Sequence, residues 1–309
     1  MLLKDNIPVS YVLGKIKKEM LVLTVYSAAV YLAHIFYGFQ GINVPLAVLG
    51  ILGTVISLLL AFRSNQAYDR WWEARILWGR IVNDSRSYAR QVLSFIDNSY
   101  DDSDKTAMKR RIIKRQIAWC HSLSHYLRKQ NSHECVNNYV SVEEMRSLAK
   151  ADHVPLALTE NHANDLRLLL RMGWINEFQQ VKMDETLTRL TDSMGGCERI
   201  KNTVFPTTYS VYIRFVVLLF AILLPFGLIE YFGIFQIPLV VAISSSFFLI
   251  EKMAIHLQDP FERKPTDTPM TSISKRIEKD LKQMMNDDYP NESALNNAIL
   301  NESGVFYVL

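Results

Sequence analysis

Four stretches of this chain carry no Asp, Glu, Lys or Arg: Met20–Tyr37 (18 residues), Val44–Phe62 (19), Phe215–Ile229 (15) and Gly233–Ile250 (18). A bilayer core about 30 Å thick takes about 20 apolar residues of helix. The third run reaches that length when the polar residues from Thr207 are included. Buried helices of a large soluble domain are the alternative, but two pairs of runs without a charged face are hard to bury in 309 residues. The runs are read as two hairpins, with short connections around Gly38–Asn43 and Glu230–Phe232 that hold no Lys or Arg.

Basic residues lie on the other side of every run. Lys4, Lys15, Lys17 and Lys18 precede the first, and Arg63, Arg70, Arg75 and Arg80 follow the second. Arg199, Lys201 and Arg214 precede the third, and Lys252, Arg263 and Lys264 follow the fourth. The positive-inside rule then places both termini and the central segment in the cytoplasm. The first run ends without a small-residue cleavage site and is read as a retained span.

The expected fold is all-α: four membrane-spanning helices with a helical cytoplasmic domain. The segments are 1–19, a cytoplasmic N-terminal stretch; 20–62, hairpin one, with spans 20–37 and 44–62; 63–206, the cytoplasmic domain; 207–250, hairpin two, with spans about 210–229 and 233–250; and 251–309, a cytoplasmic tail. In the central domain, Ile112, Ile113, Ile117, Leu123 and Leu127 fall at helical spacing, and Asn161–Met172 and Glu177–Met194 repeat the pattern. Ser141 before Glu143 and Glu144 is a helix start. Gly195-Gly196 is expected to end a helix. The tail from about Pro269 is expected either to wrap a neighbouring subunit or to hang free, and its apolar end Gly304–Leu309 to dock somewhere. Pro225 is expected to kink the third span and free a carbonyl that needs a neighbour.

The sequence offers nothing for catalysis. It has no GxGxxG, Walker or GxSxG motif. His121 and His125 share a helix face, but no third metal ligand stands at useful spacing, and they are read as structural. Cys120, Cys135 and Cys197 do not form a disulfide pattern, and Cys135 and Cys197 are read as free thiols of a reducing compartment. The 34 basic and 31 acidic residues give no bias toward nucleic acid. The run Asp101–Arg115, acids first and bases after, suits a solvated helix, with an anion-attracting basic patch as the lesser alternative.

Several motifs in order resemble the bestrophin family. Ala61–Arg75 ("AFRSNQAYDRWWEAR") with "LWGRIVNDSR" resembles the segment after that family's second span. "GGCERI" (Gly195–Ile200) with "FPTTYS" (Phe205–Ser210) resembles its approach to the third. "LLPFGL" (Leu223–Leu228) and "QDPFER" (Gln258–Arg263) complete the set, which spans about 60 to 265. The chain looks like a prokaryotic member, short and without the long tail of animal members. The resemblance implies a homopentameric ion channel in the bacterial plasma (inner) membrane. Its partners would be copies of itself, membrane lipids and small monovalent ions, and it would be no enzyme.

The resemblance also implies sites. Alignment on Phe62-Arg63 and Arg70-Trp71 places the family's apolar pore neck at Thr54, Leu58 and Phe62. Periodicity alone does not choose this stripe, because Ile51, Val55 and Leu59 form another just as apolar. A narrow apolar ring is hard to wet; Thr and Leu here imply a somewhat wider neck than in animal members. Alignment on Met183-Asp184 places the cytoplasmic constriction at Phe178, beside Glu177. On spacing alone Phe178 reads as a core residue. Five copies of Glu177 would favour cations, so the family's chloride-type selectivity and a sodium/potassium-type selectivity both stay open. Trp71 and Trp72 are read as an interface belt, and Arg70 with Glu73 as a helix-face pair.

Calcium is where the sequence leaves the pattern. Animal members follow the Asp-Pro-Phe turn with an acidic run that binds the ion. Here Asp259-Pro260-Phe261 is followed by Glu262, Arg263 and Lys264, so no cofactor and no calcium requirement are expected. A carrier and a membrane-anchored scaffold are the rival functions. His34, the one ionisable group inside the first two spans apart from tyrosines, argues against proton coupling.

Overall fold

The structure, a computed structural model, describes residues 14–38, 44–96, 103–203, 207–264 and 266–287. Among them there is no strand. The helices are α1 Lys17–Tyr37, α2 Leu46–Phe95, α3 Ser103–Leu127, α4 Val142–Leu148, α5 Val154–Arg171, α6 Glu177–Asn202, α7 Thr207–Phe232, α8 Gln236–Gln258 and α9 Met270–Met284. Contacts divide the chain into two compact units. Among the described residues, one gathers 14–71 with 207–259; the other gathers 72–203 with 260–287.

The first unit is the apolar one. Three helical stretches, 17–36, part of 46–95, and 208–258, are long and apolar enough to cross a membrane, and the chain is a membrane protein. The third stretch comprises α7 and α8, joined by a 3₁₀ turn at Gly233–Phe235. The sequence puts this connection at 230–232; the chain stays helical through Phe232 and turns where Gly233 adopts a φ of 50°, open to glycine at little cost. Leu49, Ile56 and Leu60 of α2 share a core with Val217, Phe220 and Leu224 of α7 and Val240 and Phe248 of α8. Helix α1 packs on α8 and α7.

Buried polar groups tie these helices. The Gln236 side chain, fully buried, donates to the Ser27 carbonyl at 2.9 Å. Tyr26 Oη donates at 2.8 Å to the carbonyl of Ile222, in the turn disturbed by Pro225, which lacks the amide a regular helix would offer. The carbonyl that Pro225 frees is that of Ala221, one residue before the one Tyr26 reaches. Backbone groups without partners are costly in lipid, so such bonds carry more weight here than at a wet surface.

The second unit is a helical bundle around Trp78, Tyr88, Ile112, Ile117, Leu123, Leu166, Leu190 and Ile277. The Ser141 hydroxyl accepts from the Glu144 amide, giving the expected cap of α4. Asn176 and Gln179 form a reciprocal capping box at the start of α6.

Three expectations change here. Gly195-Gly196 does not end a helix: α6 continues to Asn202. Gly196 is needed for close packing instead, since a Cβ there would lie 2.9 Å from both Leu77 methyls. The tail does not simply hang or leave: α9 buries Met270, Ile277 and Leu281 and packs on α3 of its own chain. Residues 288–309, with the Gly304–Leu309 end, lie outside the described residues, as do 39–43 of the first connection. The run Asp101–Arg115 is only partly a solvated face. Arg115 is 4% exposed and is held by Glu144 and Asp165, which outweigh the cost of burial and raise its pKa. Arg111 also pairs with Asp165, and Arg110 with Asp287 at 3.0 Å, so much of the basic charge is answered internally.

The isolated histidines and thiols have structural settings. His121 Nε2 lies 3.1 Å from a Glu278 oxygen. Burial lowers the pKa of His125. All three cysteines are free; burial raises their pKa values, to about 12 for Cys120 and about 11 for Cys135.

A candidate pore-lining face

The membrane part of α2 has two opposite faces. Leu49, Ile56, Leu60, Arg63 and Ala67 are buried against the rest of the first unit. Ala47, Gly50, Ile51, Thr54, Leu58, Ala61, Phe62, Asn65 and Asp69 are exposed. At 100° per residue these nine form one stripe centred opposite the buried row. Leu58 is 58% exposed and Phe62 55%. The structure brings Thr54, Leu58 and Phe62 onto this one face. It leaves Ile51 and Val55 uncovered too, so burial in the single chain does not separate the two apolar stripes.

Thr54 Oγ1 donates to the Gly50 carbonyl at 2.9 Å, which spends its hydrogen on the backbone and leaves only acceptor lone pairs for water. Below Phe62 the same stripe becomes polar, with Asn65 and then Asp69. On the opposite side Arg63 Nη1 lies 3.7 Å from Glu251 Oε1 of α8, and Arg63 Nη2 donates to Ser210 Oγ of α7 at 2.9 Å. This buried pair was not read from the sequence. Its signal was available: Arg63 and Glu251 each directly follow an uncharged run.

In the second unit the capping box starts α6 one residue before Glu177, and Phe178 follows at the second helical position. Phe178 is 86% exposed and Val181, one turn on, 60% exposed. The core position suggested by spacing is therefore not where Phe178 sits. Glu177 lies in the first turn, where the helix dipole favours an acid whatever else it does. Trp72 is half exposed. Arg70 donates to the Gln258 carbonyl at 3.0 Å, and Glu73 is bonded by Arg199, so each reaches another helix.

The loop after α8 is closed by its own groups. Asp267 Oδ2 accepts from the Glu262 amide at 2.7 Å and the Lys264 amide at 2.9 Å. The Lys264 ammonium lies 2.5 Å from Glu262. Asp267 Oδ2 and the Glu262 carboxylate are thus already answered by donors of the chain. Among the described residues, no three His, Cys, Asp or Glu side chains are grouped to hold a metal.

The family model described as bacterial/fungal bestrophin protein matches residues 6–283. The chain belongs to the bestrophin family. An Escherichia coli K12 relative, the voltage-dependent anion channel-forming protein YneE, is 32% identical over 273 residues, 88% of each chain. A protein of the same description from Salmonella typhi is 33% identical over 281 residues, again 88% of each. The crystal structure of a bacterial bestrophin homolog from Klebsiella pneumoniae superimposes with a TM-score of 0.83 at 27% identity, covering 89% of this chain and all of that one. The motifs from Ala61 to Arg263 thus lie within the matched region of a bestrophin.

Proposed function

We propose that five copies of this chain surround one axis and form a passive channel for small monovalent anions, with the exposed face of α2 turned to the pore. The observation that carries this reading is the stripe itself. Among the described residues this face is left uncovered by the rest of the chain, and past the end of the span it continues as Asn65 and Asp69, as a water-filled route beyond the neck requires. A route that is dry at Thr54, Leu58 and Phe62 and wet beneath them fits both halves. Anion preference follows the bacterial relatives described as anion channels. Phe178 forms a second ring at the cytoplasmic exit. The channel lies in the inner membrane, spans it four times per subunit and keeps both termini in the cytoplasm. It needs no cofactor, calcium included.

One observation favours a cation-selective pore: Glu177 beside the exposed Phe178 brings five carboxylates to the exit ring. Reversal potential in planar bilayers under a potassium chloride gradient decides the matter. An anion channel gives a potential of chloride sign, and a cation channel the opposite sign. Absence of current, together with a monomeric or dimeric mass in detergent, would overturn the channel reading.

A further inference from the structure

A cavity of about 290 Å³ opens in the second unit, between the turn that ends α3 and the loop that precedes α9. Arg128, Lys129, Lys201 and Arg263 line it, with Glu262 and the ring of Phe261. Four cations against one carboxylate is a local imbalance in a chain whose overall charge is nearly neutral. Glu262 does little to correct it, since its carboxylate already lies 2.5 Å from Lys264 and 3.8 Å from Lys201. Among the described residues, no carboxylate is in ion-pair contact with Arg128, Lys129 or Arg263.

The lining is built, not merely basic. Arg128 Nη1 donates to Thr271 Oγ1 at 2.6 Å, which fixes the guanidinium, while its Nε is buried with no hydrogen-bond partner. A buried donor left unmade is costly unless a ligand completes it. Burial, and after it the neighbouring Arg263, lower the Arg128 pKa to about 10, against an opposing pull from Asp267. Lys129 and Arg263 both take left-handed backbone conformations, φ 55° and 71°, which non-glycine residues rarely adopt. The Asp267 bonds to two amides of the loop hold that curvature in place before any ligand arrives.

We propose that this cavity binds a phosphate group, carried by an anionic phospholipid headgroup or by a soluble phosphate ester. A guanidinium fixed by its bond to Thr271, flanked by flexible ammonium groups, matches the charge and hydrogen-bonding capacity of phosphate better than that of chloride. In sequence, Lys201 shortly precedes α7 and Phe261 shortly follows α8, two helices of membrane-spanning length. The site concerns binding to the protein alone, so its test stands apart from conduction.

The test is thermal melting of the full-length protein in two arms. In detergent, inorganic pyrophosphate is titrated against potassium chloride at constant ionic strength. In nanodiscs, phosphatidylcholine is compared with phosphatidylcholine containing phosphatidic acid. The variants are the Lys129→Asn/Arg263→Asn pair, since asparagine tolerates the left-handed backbone, and Arg128→Gln. Saturable stabilisation in either arm, weakened about tenfold or more in the double variant, supports the site, and the arm that responds identifies the source. No saturable stabilisation in both arms, or an unchanged midpoint in a double variant that melts like the parent without ligand, would overturn it.

Discussion

Arg63 and Glu251 face each other inside the apolar unit, Nη1 to Oε1 3.7 Å, with side chains 2% and 5% exposed. The pair joins α2, whose other face is the candidate pore lining, to α8. Removing one partner leaves an uncompensated buried charge, which costs about 3–5 kcal/mol, whereas replacing both with apolar groups is often neutral. Arg63→Ala is therefore expected to melt well below the parent and to lose the assembled species on size exclusion, with Arg63→Met/Glu251→Met recovering most of both. Equal losses in the single and double variants would show that the pair is not what holds α2.

Two adjacent glycines should respond in opposite directions. Nothing lies within 4 Å of a Cβ at Gly195, so Gly195→Ala is expected to gain about 0.5–1 kcal/mol of helix propensity. A Cβ at Gly196 meets both Leu77 methyls at 2.9 Å. Overpacking costs about 1–3 kcal/mol, which cancels or reverses the same gain. Gly196→Val, with more volume at the contact, should be clearly destabilised. Melting temperatures of the three variants check the order.

Glu278 gives the cytoplasmic unit a pH dependence. Burial pushes its pKa up, but His121, Lys282 and Tyr139, at 3.1, 2.7 and 2.8 Å, outweigh burial and hold it at about 2, below the ordinary 4.5. A depressed carboxylate contributes stability that is full above pH 4.5 and is lost as pH falls toward 2. The parent should lose melting temperature more steeply across that window than Glu278→Gln, which has no carboxylate to protonate there. Parallel pH profiles for the two proteins would count against this account.

Class and many elements were legible in the sequence because they depend on local statistics. Uncharged runs report burial in lipid, and Ser141 with its following glutamates reports a cap. What was illegible depends on a distant residue. Gly196 reads as a helix end until Leu77 is set beside it. Arg115 reads as a solvated base until Glu144 and Asp165 are brought in from two other helices. Phe178 reads as core because hydrophobic spacing cannot tell an interior from a face left open. Thr54, Leu58 and Phe62 could be chosen over Ile51 and Val55 only through the family resemblance, and the single chain leaves both stripes exposed.

Calcium should have no effect on flux. In the loop from Asp259 to Asp267, the Asp267 carboxylate caps two backbone amides and Glu262 lies beside Lys264, so recruiting these two acids to a hard cation would first require those contacts to break. Chloride efflux from proteoliposomes is expected to be the same with chelator and with added calcium. A steep rise with calcium would mean that the loop rearranges into a clasp.

The two apolar rings proposed above make separable predictions about conduction. Leu58 stands in the middle of the neck stripe, and shortening it widens the ring and lowers the cost of wetting it. Leu58→Ala is therefore expected to raise single-channel conductance several-fold with little change in reversal potential, since no charge is altered. Phe178 and Glu177 share the first turn of α6, which the proposal puts at the exit, and there charge and size can be changed independently. Phe178→Ala should raise conductance at the exit, while Glu177→Gln should shift the reversal potential toward anion preference without widening anything. If Leu58→Ala conducts like the parent while Val55→Ala conducts more, the pore is lined by the neighbouring stripe, and α2 is rotated from the position the resemblance implies.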